Sequence, residues 1–394
     1  MTVNCGCYRC AWRDNIVAID TLLERPMPRF PRNEIISLVG EAPRFDLAES
    51  VGPNLRVGEL LGAGFDDVSL GYGTAPGDAA LRGLIATSHG VDADDVVVTV
   101  GGMHALFLLA FTLCEPGDEA VVVSPVFPLA RNVLTTVGTA EHTLRFSFDS
   151  GYQPDLAQLR RLLTPRTKLV SLASPQNPSG VAIATATLRE IVALMQAHAP
   201  QAWLVLDETY REATYGDDPA TPSASTLGPR VVTVASLSKC HGAAGLRIGW
   251  AITRDAALRE QLVTAKFNTV ISCSALDEAA AVQVLTQRDR ILGERRELLG
   301  RNRALVEAWV GRHAERVEWV RPDAGALCCV RLKHEAFDDA AVDRFHAALA
   351  RHGVRVAPGP WFGEAARVFR LGFGLLPGSE LRQALEGVSA ALQA

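Results

Sequence analysis

The stretch SLSKCHGAAGLRIGW, residues 236–250, sets a lysine just behind two hydroxyls, Ser236 and Ser238, with Arg247 eight positions further on in a glycine-rich segment. It follows directly on the apolar run VVTVA, so Lys239 stands where a buried strand gives way to a polar loop. Lysine is rare in this chain. Only Lys168, Lys239, Lys266 and Lys333 occur, and the other 35 of the 39 basic residues are arginines. Chemistry that needs a primary amine therefore has four candidates, of which Lys239 is the one at the polar end of a strand in this group of polar residues.

Outward from that stretch, 394 residues exceed what one compact core usually holds, and two domains are expected. With 48% hydrophobic and 21% charged residues the chain buries a large core and is not disordered. A net charge of −5 leaves no footprint for nucleic acid or an anionic membrane surface. No apolar run reaches the length of a membrane span, and the start MTVNCGCYRCAWRDNIV lacks a basic stretch followed by an apolar core. The expectation is a soluble, cytoplasmic protein. Of the eight cysteines, Cys114, Cys240, Cys273, Cys328 and Cys329 lie among apolar or small residues and read as buried free thiols. Cys5, Cys7 and Cys10 cluster, but no matching fourth ligand follows, so an ordinary exposed or capping segment is expected there rather than a metal site.

From about residue 95 short apolar runs alternate with helical stretches: DDVVVTVGG, DEAVVVSPVFP, TKLVSLASPQNPSG, AWLVLDETY and VVTVASLSK read as strands, and MHALFLLAFTLC, LARNVLTTVG and TATLREIVALMQAHA as helices. Continuous rather than alternating apolar strands, separated by helices, indicate an α/β fold with a mostly parallel sheet covered by helices on both faces. Past residue 285 a long charged helix leads into mixed strands and helices, a smaller α+β domain. The expected division is a large domain over 60–285, with 1–59 and 286–394 forming the small domain and an N-terminal lid segment.

Ligands of parallel sheets bind outside the carboxyl ends of the strands. Those ends supply Gly101, Gly102 and Met103, then Phe127, Asn177, Asp207 with Tyr210, and Ser236 to Lys239. Each alone is a turn, a loop or a cap. Together they match the needs of a phosphate-bearing aromatic aldehyde. Its phosphate takes backbone N–H groups at a helix start, as in TVGGMHALF, plus Ser236, Ser238 and Arg247. Its pyridine nitrogen takes the Asp207 carboxylate, its phenolic oxygen Asn177 and Tyr210, its ring face Phe127, and its aldehyde the amine of Lys239.

These residues resemble those of the fold-type I pyridoxal-5′-phosphate enzymes, and from about residue 68 onward the chain resembles the class I/II aminotransferases. SLGYGTAPGDAALRGLIA, TVGGMHALF, SPVFPLA, SPQNPSG, LDETY, SLSK…GLRIGW and FRLGFG carry the likeness in order. The resemblance implies the fold-type I architecture and pyridoxal phosphate bound to Lys239 as an imine. It also implies transfer of an amino group from an α-amino acid to a 2-oxo acid. Lys239, Asp207 and Tyr210 become the catalytic set, and Arg370 the grip on the substrate α-carboxylate with Asn177 beside it. Tyr72 is expected to reach the phosphate held by a neighbouring subunit, which implies a homodimer with shared active sites.

The same apparatus serves elimination, decarboxylation, cyclisation or oxygen-dependent oxidation, because the electron sink is common to all. The alternative reading is such a non-transaminating enzyme acting on a cationic, arginine-like amino acid. Where relatives carry a Gly-x-Gly-x-Pro-Asp type segment over the substrate, this chain has LAESVGPN, with Glu49 and Ser50 in that place. Glu49 there pairs with a cationic substrate side chain or, alternatively, faces solvent or caps the next helix. Trp12, Arg13 and Asp14 are candidates for the lid, His241 is expected as a satisfied loop histidine, and Arg367 as a surface residue ahead of its strand. A DNA-binding regulator on this fold is disfavoured, since only about 60 residues precede the large domain.

Overall fold

The computed structural model describes residues 30–31, 34–38, 43–60, 65 and 68–394, and the Cys5, Cys7, Cys10 cluster and Trp12, Arg13 and Asp14 lie outside them. Seven strands form the main sheet: β1 (Val96–Val100), β2 (Glu119–Ser124), β3 (Ala140–Arg145), β4 (Thr167–Ala173), β5 (Trp203–Asp207), β6 (Val231–Ser236) and β7 (Ile248–Thr253). Their order is β1-β7-β6-β5-β4-β2-β3. Only β7 runs against its neighbours β1 and β6. Helices α1 (Ala79–His89), α2 (Gly101–Leu113), α3 (Pro128–Val137), α4 (Leu156–Leu162), α5 (Thr185–His198), α6 (Ala256–Val270) and α7 (Ala275–Thr286) flank it. Apolar clusters form on both faces of the sheet, one with α4 and α5, another with α2 and α6.

The local chemistry accounts for the element ends. Asp78, Asp155, Asp255 and Ser274 cap α1, α4, α6 and α7 by accepting backbone N–H bonds. Pro128 opens α3 and Gly138 closes it in the left-handed conformation. Helix α2 is not buried all round, as its apolar sequence suggests: Phe111 stands 65% exposed and stacks on Phe107.

The 25-residue α8 (Arg288–Arg312) leads into a second, antiparallel sheet of β8 (Val317–Val320), β9 (Leu327–Leu332), β10 (Ala357–Pro358) and β11 (Val368–Gly372), ordered β10-β11-β9-β8. Helices α9 (Asp339–Arg351) and α10 (Gly378–Ala391) pack on it around Trp309, Phe345 and Phe369. The N-terminal side is tied to this domain by Phe45–Asp46, which pairs in parallel with Val354–Arg355 as a separate two-stranded sheet, and by Gly372 N–H donating to Leu47 O. Arg367 departs from its expected surface position. It is 9% exposed, donates to the carbonyls of Leu332 and Phe337, and meets Asp339 at the start of α9. A guanidinium just before a strand is polar in sequence, yet these acceptors let it be buried.

Candidate active site

Because β1, β2, β4, β5 and β6 are parallel, their carboxyl ends fall along one edge of the sheet. The reversed β7 contributes its opposite end there. Its first residue, Ile248, pairs with Val100, so Arg247 arrives beside the start of α2. Two glycines make that approach possible. A Cβ on Gly101, at φ +73°, would come within 3.0 Å of the Arg247 guanidinium carbon. One on Gly249 would stand 2.4 Å from Gly102 N.

A cavity of about 240 Å³ opens at this edge, lined by Gly102, Met103, Phe127, Asn177, Asp207, Tyr210, Ser236, Ser238, Lys239 and Arg247. At one end lie the free N–H groups at the N-terminus of α2, Ser236, Ser238 and the Arg247 guanidinium, which also donates to Ala244 O at 2.8 Å. Dipole, donors and charge there together suit an anion. At the sheet floor, Asp207 Oδ1 accepts the Thr209 N–H at 2.9 Å. Burial pushes its carboxyl up, while the Thr209 bonds and the nearby Lys239 amine pull it down.

Lys239 is half-buried, and desolvation brings its amine down from 10.5 to about 8. Glu49 acts against that fall, Arg370 and Arg247 add to it, and Asp207 opposes it. The amine lies 3.5 Å from Ser50 Oγ, which also accepts the Tyr210 hydroxyl at 3.0 Å. Burial pushes that phenol up to about 12. Asn177 Nδ2 donates weakly to Tyr210 Oη at 3.4 Å. Its Oδ1 accepts Arg370 Nη1 at 2.8 Å.

Arg370 is 2% exposed, sits 4.7 Å over the Phe362 ring, and donates from Nη2 to Ala48 O at 2.5 Å. It therefore flanks the cavity through Asn177 instead of lining it. Glu49, half-buried, stands between Ala48 and Ser50 on the same strip of chain. Its carboxylate acts electrostatically on Lys239, Arg370 and Arg355. Tyr72 lies apart from the cavity of its own chain, 84% exposed in a groove with Leu70, Val270 and Leu276.

His241 is neither a cavity residue nor a satisfied one. It is 1% exposed, neither ring nitrogen finds a hydrogen-bond partner among the described residues, and Nε2 stands 3.7 Å from the Glu212 carboxylate. Burial lowers it to about 4, so it is neutral at pH 7. Thr209 and Ala48, not singled out from sequence, also serve the site: Thr209 orients Asp207 and Ala48 gives Arg370 a carbonyl, while Ser50, beside Glu49, joins Tyr210 to Lys239. The one local signal was Asp-x-Thr, two residues of spacing that favour a side-chain-to-backbone turn.

The donor set fits pyridoxal 5′-phosphate: an anion site at one end, a carboxyl at the floor, a ring-facing Phe127 and an amine of lowered basicity. Among the described residues no group of three His, Cys, Asp or Glu side chains is placed to hold a metal, and no helix is long and apolar enough to cross a membrane.

The family model for class I and II aminotransferases matches residues 58–388. Arginine–pyruvate transaminase of Pseudomonas aeruginosa is 31% identical over 327 residues, 81% of each chain. Capreomycidine synthase of Streptomyces vinaceus is also 31% identical, over 328 residues that cover 83% of this chain and 82% of that one. Among solved structures, the PLP-dependent cyclase OrfR superposes with a TM-score of 0.81 at 28% identity, covering 94% of this chain and 99% of the other.

Proposed function

The chain belongs to the class I and II aminotransferases, enzymes that use pyridoxal 5′-phosphate to carry an amino group from an amino acid to a 2-oxo acid, and on that premise we propose the residues that do this work. The cofactor, when bound, supplies an electron sink that stabilises the charge left at the substrate Cα when its proton departs. Lys239 would supply the amine that anchors the cofactor and would take and return a proton at the substrate Cα. An amine near 8 is partly unprotonated at neutral pH, which both tasks require. Asp207 would keep the ring nitrogen protonated, Tyr210 and Asn177 would hold the phenolic oxygen, and Phe127 would lie along the ring.

Gly102, Met103, Ser236, Ser238 and Arg247 hold the phosphate. Arg370, with Asn177, takes the α-carboxylate in its guanidinium fork and so fixes which Cα bond is broken. Tyr72 serves the phosphate of the partner subunit in a homodimer with shared sites. The exposed Leu70, Tyr72, Val270 and Leu276, around one groove, support that assembly. Residues 60–285 would carry the cofactor and 1–59 with 286–394 the substrate-facing domain. The unpaired thiols of Cys114, Cys240, Cys273, Cys328 and Cys329 support a reducing, cytoplasmic setting.

The observation that carries the reading is Lys239 Nζ in the cavity of Asp207, with Arg370 reaching Asn177 on the far wall. Its test is the absorbance spectrum of the purified protein supplied with pyridoxal phosphate. A visible band of lysine-bound cofactor, lost in Lys239→Ala, is expected; the same band in the variant rejects Lys239 as the anchor.

A second reading draws on the likeness to capreomycidine synthase and the cyclase OrfR: cyclisation, elimination or oxygen-dependent oxidation of an arginine-like amino acid. Incubation of a ¹⁵N-labelled amino donor with pyruvate separates the two. Label in alanine supports transamination, and consumption of the donor without labelled alanine supports the second reading.

A further inference from the structure

Resting on the roles of Lys239 and Arg370 above, we propose that the Glu49 carboxylate binds a cationic side chain of the amino donor, a guanidinium or an ammonium. The strip 48–50 is pressed between the two halves of the site. Ala48 O accepts from Arg370, and Ser50 Oγ accepts from Tyr210 and faces Lys239 Nζ. Glu49 lies between them, with its own carbonyl packed so tightly on Gly372 that a Cβ there would stand 1.7 Å away. Its backbone is therefore fixed against the small sheet, between neighbours that touch Arg370 and Lys239.

The charges facing Lys239 are Glu49, Arg370, Arg247 and Asp207. The last three already have tasks in binding carboxylate, phosphate and ring nitrogen. Glu49 has none. The neighbouring acid, Asp46, is closed off: it accepts from Arg355 Nε at 3.2 Å and Nη2 at 2.5 Å, and from Ala48 N–H at 3.0 Å. Among the described residues Glu49 makes no hydrogen bond or ion pair of its own.

Asp46 is paired with Arg355, and Glu49 acts electrostatically on both Arg355 and Arg370. An α-carboxylate docking on Arg370 adds one negative charge, and a cationic donor side chain removes it. A neutral donor leaves the excess, and an acidic donor doubles it, which the shared low-dielectric wall penalises.

The experiment uses an unreactive probe as well as turnover. 5-Guanidinopentanoate keeps the carboxylate and guanidinium of arginine but has no amine, and pentanoate lacks the charge. Calorimetry on the cofactor-loaded protein should find the guanidino acid at least about 10-fold tighter, the worth of one charge-assisted hydrogen bond, and Glu49→Gln should erase most of that ratio. Equal affinities in the wild-type protein, or an undiminished ratio in Glu49→Gln, overturn the proposal. Should the variant misfold, wild-type half-reactions with arginine and its neutral isostere citrulline decide: a clear arginine preference supports it and none overturns it. A missing lysine-bound cofactor band marks failure of the Lys239 reading instead, whereas a normal band with no charge preference marks failure of the Glu49 inference alone.

Discussion

On the sheet side of the cavity the polar groups stand beside the ends of strands, and on the opposite side most come from segments remote in sequence. Gly102, Asp207 and Lys239 each stand within a few residues of β1, β5 and β6, so the twist of one sheet fixes their spacing. The facing wall is stitched from segments remote in sequence: Ala48 with Arg370, Asn177 with Arg370, Asp46 with Arg355. On the proposed function the first wall would hold the cofactor, and the second, built from remote segments, could change without disturbing it. Arg370 is where the two meet, through Asn177. Arg370→Lys keeps the charge and loses the fork, stranding Asn177 Oδ1 or Ala48 O. Breaking a buried charged pair of this kind costs about 2–5 kcal/mol, so kcat/KM for any amino donor should fall about 100-fold while the visible cofactor band persists. Steady-state kinetics beside a spectrum check it. A loss of the band together with activity would show that the walls are one unit.

That contrast also explains what the sequence disclosed. The cofactor wall was legible because each of its residues sits next to a recognisable apolar strand, and a short polar sequence after a strand end is local information. The other wall hid for three physical reasons. Ala48 acts through a carbonyl, which no side-chain pattern reports. Asp46 and Arg355 pair across 309 residues. Arg367 looked like a surface charge until Leu332, Phe337 and Asp339 converged on it from elsewhere in the small domain. His241 shows the same limit close to Lys239: its surroundings, Glu212, Arg211 and Arg288, come from other loops and from α8.

The rigidity of the first wall is itself testable. Gly249→Ala would set a Cβ against Gly102 N, Gly101 C and Ala235 O, at 2.4, 2.5 and 2.9 Å. All three are backbone atoms and none can rotate away. Overpacking of this kind costs about 1–3 kcal/mol, read as a lowered denaturation midpoint with weakened cofactor affinity. Gly83→Ala in α1 meets nothing within 4 Å and is the control. There a gain of about 0.5–1 kcal/mol is expected, since glycine within a helix gives up more conformational freedom than alanine. Equal behaviour of the two variants would mean that the start of α2 is not wedged against β7.

The smallest effect tests whether the second wall reaches into the first electrically. In the cofactor-free protein only the unprotonated Lys239 amine attacks the aldehyde, so the rate of cofactor capture should climb with pH and level off above about 8, whereas an ordinary lysine would still be climbing at 10. Burial sets most of that displacement, and Glu49 opposes it by favouring the ammonium. Removing the acid in Glu49→Gln therefore moves the midpoint further down. Ser50→Ala moves it the same way by less, because it withdraws only a neutral acceptor at 3.5 Å. An upward move in either variant would mean that the strip 48–50 lowers the amine by desolvation more than it holds the charge, and the two walls would then act on Lys239 in the same sense.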